Sequence, residues 1–252
     1  MRHSVLILLA LLLLSFSVFT QDASQFIAMG DSAYAKFDNQ AALKFYSDAL
    51  KADSNSYQAA WKLSRAYVDV GEDLKGKEQR NEYFQNSEKY ARKAISIDST
   101  GSKGHLYLSI ALGRVALDAG KKEQVRLSKE IKVEVDKALK LDPNDDIAWH
   151  VLGRWNRKMA TLGWIQRKFA NLFLGGVPKD ASLENAVNDF KKAIELNPGH
   201  INHHLELGIT YKEMGDKEAA KKQFEEVLSL PKTSADDDRY KEEAKEYLKK
   251  LK

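Results

Sequence analysis

The sequence contains no cysteine, which excludes disulfide bonds, thiolate metal ligands, a cysteine nucleophile and lipid attachment at an N-terminal cysteine. Proline and glycine are also scarce, with four and fourteen residues among 252. An all-β chain needs more of the turn signals that these two residues supply. The helix formers alanine, leucine, lysine and glutamate are frequent instead. The composition therefore predicts an all-α fold.

A large charge of one sign is absent as well, because 40 basic and 36 acidic residues leave a net charge of +4. That excess is too small to indicate nucleic-acid binding, and we expect no nucleic-acid partner. No nucleophile elbow, zinc-protease helix or phosphate-binding loop is found. Gly175 and Gly176 are followed by Val-Pro-Lys-Asp, which indicates the end of a helix. We expect no enzymatic activity and no cofactor.

The one long apolar run lies at the N-terminus, where Arg2 precedes the apolar residues 5–14. A cation, a short apolar core and a mixed segment, in that order, are typical of a secretory signal peptide. We place the signal at residues 1–20, with cleavage after Thr20, and predict one domain over residues 21–252. The mature chain is then exported, to the periplasm or outside the cell. The alternative is an uncleaved membrane anchor, with an apolar segment extended through Phe19.

Four similar segments recur along the chain, and each begins with an alanine. A leucine follows each alanine after fourteen residues, and a serine or glycine comes directly after the leucine. The recurrence of a large and a small residue at a fixed distance predicts units of two helices each. The four alanines are Ala49, Ala94, Ala138 and Ala193, and a weaker fifth segment begins at Val227.

The repeated units differ in length, and the additional residues lie between the two helices of a unit. Helical stripes continue upstream of Ala94 through Phe84, and upstream of Ala138 through Ser128. These stripes predict second helices of five to six turns in the second and third units. At the C-terminus, acids precede lysines over residues 235–252, which suits the helix dipole and predicts a capping helix.

The last unit resembles the tetratricopeptide repeat, whose pattern is W-x2-L-G-x2-Y followed by small and aromatic positions. The matching residues are His204 at the tryptophan position, then Leu207, Gly208, Tyr211, Ala220, Phe224 and Val227. The resemblance implies an α-solenoid of about five helical hairpins with extended helices. Such hairpins bury their apolar faces against their neighbours.

The run HVLGRW at residues 150–155, the insert LGWIQRKFANLFL and the following SLENAVNDFKKAIELNPG resemble the regulator of microtubule dynamics family. The likeness extends over residues 26–231. It implies a non-enzymatic helical domain, and some members of the family are associated with microtubules, others with membrane contact sites and phospholipids. Together with the signal peptide, the resemblance indicates an exported bacterial relative.

In tetratricopeptide proteins the first helices of the hairpins line a concave face, and the resemblance carries that geometry to this chain. Cations outnumber acids at the corresponding positions, and apolar residues lie between them. This combination suits a protein partner or an acidic peptide with apolar side chains. The predicted partner-binding residues are Trp61, Arg65, Arg114, His150, Arg154, Arg157 and Lys158. The alternative is that these are ordinary solvated cations around a structural groove.

The insert at residues 161–174 is predicted to form a basic amphipathic helix with Leu162, Ile165, Phe169 and Leu172 on one stripe. Such a helix can cover an open side of the solenoid, close a ligand cavity or lie on a membrane surface. The second alternative predicts that a lipid, including an anionic one, or another amphiphile binds here. The predicted walls are Trp155, Trp164, Ile165 and Phe169, and Trp164 and Phe169 join the candidate ligand-binding residues.

His200, His203 and His204 have a spacing that can bring imidazoles to one helical face for a metal ion. No fourth ligand stands at a fixed distance from them. His204 also occupies the position at which the repeat pattern has a packed tryptophan. We therefore expect His204 in the core, and no metal site.

Overall fold

The structure is a computed structural model that describes residues 22–163, 167, 171, 176 and 181–251. Within these residues the chain forms eleven α-helices and no strand, so the predicted all-α fold is confirmed there. The helices are α1 (Ala23–Ala35), α2 (Asn39–Ala52), α3 (Tyr57–Asp73), α4 (Lys77–Ile97), α5 (Ser102–Asp118), α6 (Lys121–Leu141), α7 (Asp146–Ala160), α8 (Leu183–Leu196), α9 (Ile201–Met214), α10 (Lys217–Ser229) and α11 (Asp237–Leu251).

The first ten helices form five hairpins, α1–α2, α3–α4, α5–α6, α7–α8 and α9–α10, and each hairpin packs on the next. This is the predicted α-solenoid. Helices α4 and α6 have 21 residues each, which corresponds to the five to six turns predicted from their stripes. The apolar core runs through the stack, because each hairpin buries its inner faces against its neighbours.

The four recurring alanines mark the ends of the second helices α2, α4, α6 and α8. All four are fully buried. Each alanine carbonyl accepts the backbone N–H of the residue that follows the helix, at 2.8–2.9 Å. Those following residues are Asp53, Asp98, Asp142 and Asn197. The repeated segment is therefore the closing turn of each hairpin and the start of the loop to the next one.

The small residue of each joint lets the two helices of a hairpin approach closely. A Cβ atom added to Gly208 in α9 would lie 2.6 Å from Cε1 of Phe224 in α10. The same construction at Gly153 in α7 would lie 3.0 Å from Cε1 of Phe190 in α8. Phe190 and Phe224 are fully buried, so each aromatic ring takes the space that a side chain on the glycine would need.

The predicted C-terminal cap is α11, with Asp237 and Asp238 in its first turn and Lys249 and Lys250 in its last. It packs on apolar side chains of α9 and α10. The ring of Tyr247 stacks on Phe224 with centroids 4.9 Å apart, and Ala244 is fully buried. The last hairpin of the solenoid is therefore covered by a helix.

The predicted signal peptide at residues 1–20 lies outside the described residues, as do Trp164, Ile165, Phe169 and most of the insert around them. Among the described residues, none of the helices combines the length and the apolar character needed to cross a membrane.

Candidate functional site

The first helices of the hairpins place a chain of aromatic and charged side chains along one face of the solenoid, which we call the concave face. It is formed by residues of α3, α5, α7 and α9. On α3 and α5 it begins with Trp61 and Tyr107, whose rings stack at 5.5 Å with an interplanar angle of 8°. Trp61 is half-buried, whereas Tyr107 is buried beneath it. The stack holds the ring of Trp61 in place, and the ring provides an aromatic surface on the concave face.

Arg65 follows Trp61 by one helical turn and is held by aromatic residues of the first hairpin. Its Cζ lies 3.6 Å from the ring centroid of Tyr34, a close cation–π contact. Its Nη2 donates to the hydroxyl of Tyr46 at 3.0 Å, and that hydroxyl donates to Asp31 at 2.7 Å. These contacts orient the guanidinium group and leave its Nε, a buried donor, without a partner in the described part of the chain.

At the other end of the concave face, the carboxylate of Glu206 in α9 binds two arginines of α7. Arg154 Nε lies 3.3 Å from Glu206 Oε1, and Arg157 donates to both the carboxylate and the backbone carbonyl of Glu206. Burial opposes the charge of Glu206, yet the two arginines hold the pKa of its carboxyl below the ordinary value. The pair of hairpins α7–α8 and α9–α10 is therefore joined by a buried ion-pair network.

At the centre of the concave face, Glu72 in α3 likewise pairs with arginines of other helices. It forms an ion pair with Arg114 of α5, and it also accepts from Arg239 Nη2 of α11 at 3.2 Å. Glu72 is itself largely buried, with 15% of its side chain exposed. Arg114, like Arg65, keeps a buried Nε without a partner among the described residues.

Asp69 stands between these groups, one turn before Glu72. Burial raises the pKa of its carboxyl to about 7, although the charge of Arg65 acts in the opposite direction. Its Oδ2 is buried and has no hydrogen-bond partner within the described residues. Among the described residues the concave face thus holds four such polar atoms: the two arginine donors, this acceptor and Oδ1 of Asn202 in α9. Buried polar groups of this kind are satisfied by water or by a ligand.

Three histidines form a buried cluster between α7 and α9. His203 Nε2 lies 3.0 Å from the carboxylate of Asp146, and His203 Nδ1 lies 2.9 Å from His150 Nδ1. His203 thus bridges the carboxylate of Asp146 and the imidazole of His150, with its Nε2 placed to donate to Asp146. His200 stacks on His203 with centroids 4.1 Å apart. Burial lowers the pKa of all three imidazoles, that of His200 to about 4.

The structure brings most of the predicted partner-binding residues together. Trp61, Arg65, Arg114, Arg154 and Arg157 share the concave face, and Lys158 is exposed at the end of α7. His150 belongs to the buried cluster, with 6% of its surface exposed. Trp164 and Phe169 lie outside the described residues, so their role stays a prediction.

Two carboxylates that the sequence did not single out, Glu72 and Glu206, neutralise the arginines that it did. The helical spacing could have placed both glutamates on the concave face. Glu72 lies three residues after Asp69, and Glu206 lies four residues after Asn202, which is on the same face. A pattern of cations along the first helices does not identify Glu72 and Glu206, because the arginines that pair with them belong to other helices.

Trp155 was predicted to wall a cavity beside the insert. It is buried, and its Nε1 donates to the backbone carbonyl of Ser128 in α6 at 2.7 Å. Asn156, the next residue along α7, is buried as well, and it donates to Asp189 of α8 at 2.7 Å. Both side chains therefore pack inside the solenoid and join α7 to its neighbours.

His204 lies in the core, as expected, where its ring nitrogens bond the side chain of Gln223 and the carbonyl of Pro198. In the part of the chain that the structure describes, no group of three or more candidate ligands is arranged to hold a metal ion.

Comparison with solved structures shows the fold. A thermophilic tetratricopeptide protein of Thermus thermophilus superposes with a TM-score of 0.64 over 88% of this chain and 98% of that one. The two sequences are 15% identical, so the similarity is one of fold alone.

Comparison with curated proteins and family models shows the family. Regulator of microtubule dynamics protein 3 of Rattus norvegicus is 27% identical over 187 residues, which are 74% of this chain and 40% of that protein. Regulator of microtubule dynamics protein 1 of Caenorhabditis elegans is 28% identical over 190 residues, 75% of this chain and 83% of that protein. The chain thus spans 40% of the length of the rat relative. The family model described as regulator of microtubule dynamics protein 1-3 matches residues 26–252. With nearly the whole domain matched, the chain belongs to the regulator of microtubule dynamics protein 1-3 family.

Proposed function

We propose that this chain is a non-catalytic binding module that holds an acidic segment of a partner protein on its concave face. A helical-repeat fold and membership of this family support protein recognition as the general role. The observation that carries the finer proposal is the pair of buried guanidinium nitrogens, Nε of Arg65 and Nε of Arg114, which have no partner in the described chain. Each is a directed donor for a ligand oxygen.

A carboxylate suits these donors because a guanidinium group binds it through charge-assisted hydrogen bonds of defined direction. Glu72 already balances Arg114, so a ligand gains more from geometry than from net charge. Trp61 adds apolar surface, since its ring lies 5.5 Å from Cζ of Arg65. The preferred segment therefore carries acidic and apolar side chains together.

The test is a binding titration with a fluorescein-labelled peptide of alternating glutamate and leucine, followed by fluorescence anisotropy. We expect it to bind more tightly than its glutamine–leucine counterpart, and to lose affinity as salt is added. Arg114→Gln should weaken binding about tenfold, the effect of losing one charge-assisted hydrogen bond. Arg126→Gln is the matched control, because Arg126 is an exposed arginine on α6 that pairs with Glu123. Equal affinity for the two peptides would refute the proposal.

Tubulin is the first protein to test as a partner, because the relatives carry microtubule regulation in their names. Co-sedimentation with stabilised microtubules, with the Arg114→Gln and Arg126→Gln variants side by side, gives the answer. We expect Arg114→Gln alone to shift protein from the pellet to the supernatant. If the unaltered chain stays in the supernatant, microtubules are not its partner, and the peptide titration still decides how the concave face binds.

Two further predictions concern residues outside the described part of the chain. Binding of a lipid or another amphiphile beside residues 161–174 predicts a lipid-sized adduct in native mass spectrometry, and Trp164→Ala should remove it. Export predicts that the mature chain begins after Thr20, which N-terminal sequencing of the purified protein measures. Absence of the adduct, or an intact N-terminus, would contradict the corresponding prediction.

A further inference from the structure

The last helix presents one stripe of polar and aromatic side chains to the concave face. The stripe consists of Arg239, Tyr240, Glu243 and Tyr247, at steps of one to four residues on one side of the helix, and Asp236 directly precedes it. Its side chains meet the face along its length. At one end Arg239 bonds Glu72 of α3. Further along, Arg154 has a raised pKa for which Glu206 is the main cause, and Tyr240 and Glu243 contribute to it. The stripe therefore lies beside Arg154, one of the arginines predicted to bind the partner segment.

The two halves of α11 contact different parts of the solenoid. Its C-terminal half packs on the last hairpin through Tyr247, which stacks on the buried ring of Phe224. Its N-terminal half reaches α3 through Arg239, whose side chain is 54% exposed. Just before the helix, Lys232 lies 5.6 Å from the ring centroid of Phe37, and Phe37 is also exposed. Exposed contacts of this kind are weak, so the N-terminal half is held only lightly against α3, while Tyr240 packs on the last hairpin and the buried Asp237 accepts from Thr233 and Ser234.

We propose that α11 is an internal occupant of the concave face, and that its N-terminal half moves away from α3 when a partner segment binds. This inference rests on the proposed function, because it assigns regulation to the same site. Tyr240 lies within electrostatic range of Arg114, and both Tyr240 and Glu243 lie within that of Arg154. A partner carboxylate therefore competes with Tyr240 and Glu243 for space and with Glu72 for the guanidinium groups. The contact that opens is the ion pair between the exposed Arg239 and the largely buried Glu72.

A chemical lock tests the movement directly, and the absence of cysteine from the chain makes it selective. Glu72→Cys and Arg239→Cys are combined and joined by a short bis-maleimide. The comparison is the same double variant capped with a mono-maleimide. With the glutamate–leucine peptide as probe, we expect the locked form to bind at least about tenfold more weakly than the capped form, the loss expected when one charge-assisted contact is blocked. A pair on α2, Lys44→Cys with Asp48→Cys, is the control, and its lock should leave binding unchanged.

A single substitution tests the converse expectation, that weakening the contact between α11 and α3 strengthens peptide binding. Arg239→Gln should tighten binding of the peptide roughly two- to fivefold, the range expected for the loss of one ion pair whose cation is exposed. Lys245→Gln is the matched control, because it removes the same charge from the same helix at a residue that pairs locally with Glu242. Hydrogen exchange without peptide provides a readout that needs no ligand. The amides of α11 should exchange faster in Arg239→Gln than in Lys245→Gln, while those of α9 remain protected.

The outcomes separate the two proposals. Equal binding by the locked and capped forms, or equal exchange of α11 in the two variants, would overturn the role of α11 and leave partner binding on the concave face intact. If neither form nor the unaltered chain binds the peptide, the proposed function fails, and the regulation built on it fails as well.

Discussion

Arg239 in the last helix donates a hydrogen bond to Glu72, which lies 167 positions earlier in the chain, with Nη2 and Oε2 3.2 Å apart. The same carboxylate pairs with Arg114 of α5. One side chain thus connects the second hairpin, the third hairpin and the C-terminal cap. The concave face is therefore a network of paired charges that α11 partly covers.

The first prediction concerns Glu206. Glu206→Gln should lower the free energy of unfolding by about 2–4 kcal/mol, because it leaves the charges of Arg154 and Arg157 without their buried partner. Glu225→Gln is the control, since that exposed glutamate lies 3.9 Å from Lys221 and should change stability by less than about 0.5 kcal/mol. Urea denaturation measures both. Equal effects of the two substitutions would show that the network does not join the hairpins.

The second prediction uses two glycines that both lie inside helices. Gly208→Ala should lower the free energy of unfolding by about 1–2 kcal/mol, because its Cβ would meet the ring of Phe224 at 2.6 Å. Gly113→Ala should raise it by about 0.5–1 kcal/mol, since nothing lies within 4 Å of the new atom and alanine favours helix. Thermal denaturation compares them. The same sign for both would contradict the close approach of α9 and α10.

The third prediction is acid sensitivity at the histidine cluster. The folded-state pKa of His200, about 4, lies below the ordinary value near 6.5, so its contribution to stability is present above pH 6.5. That contribution is lost as the pH falls towards 4, by about 1–2 kcal/mol between pH 7 and pH 5. His200→Phe keeps the stack on His203 and should flatten this loss. Urea titrations at the two pH values measure it, and NMR titration of the imidazoles at their ordinary pKa would contradict it.

The fourth prediction has the opposite sign. Burial raises the pKa of Asp69 to about 7, so its contribution is present in full below the unfolded pKa near 3.9 and is lost as the pH rises through 7. Asp69→Asn should therefore stabilise the protein at pH 8, by about 1–3 kcal/mol, and much less at pH 5. Asp238→Asn is the control, because Asp238 is an exposed residue that pairs with Lys232. An unchanged difference in stability between the two pH values would refute the raised pKa.

Particular residues show how far the sequence could lead. The spacing of Ala138 and Leu152 predicted a hairpin joint, and both the helix end and the joint lie where that spacing put them. The stripe upstream of Ala94 predicted the long α4. His150, in contrast, was chosen by its position on a first helix, and its burial depends on His203 of the next hairpin. A repeat register identifies a face of a helix, but it does not tell which neighbour covers that face.

The sequence by itself determined the helices, the joints and the C-terminal cap of this protein, because helical period, small residues and terminal charges act over a few neighbouring positions. The tertiary structure alone decided the charge balance of the concave face. Glu72 and Glu206 neutralise arginines that belong to other helices, and Arg239 returns from the far end of the chain to join them. Ion pairing depends on distance and burial, and the order of residues along a chain contains neither.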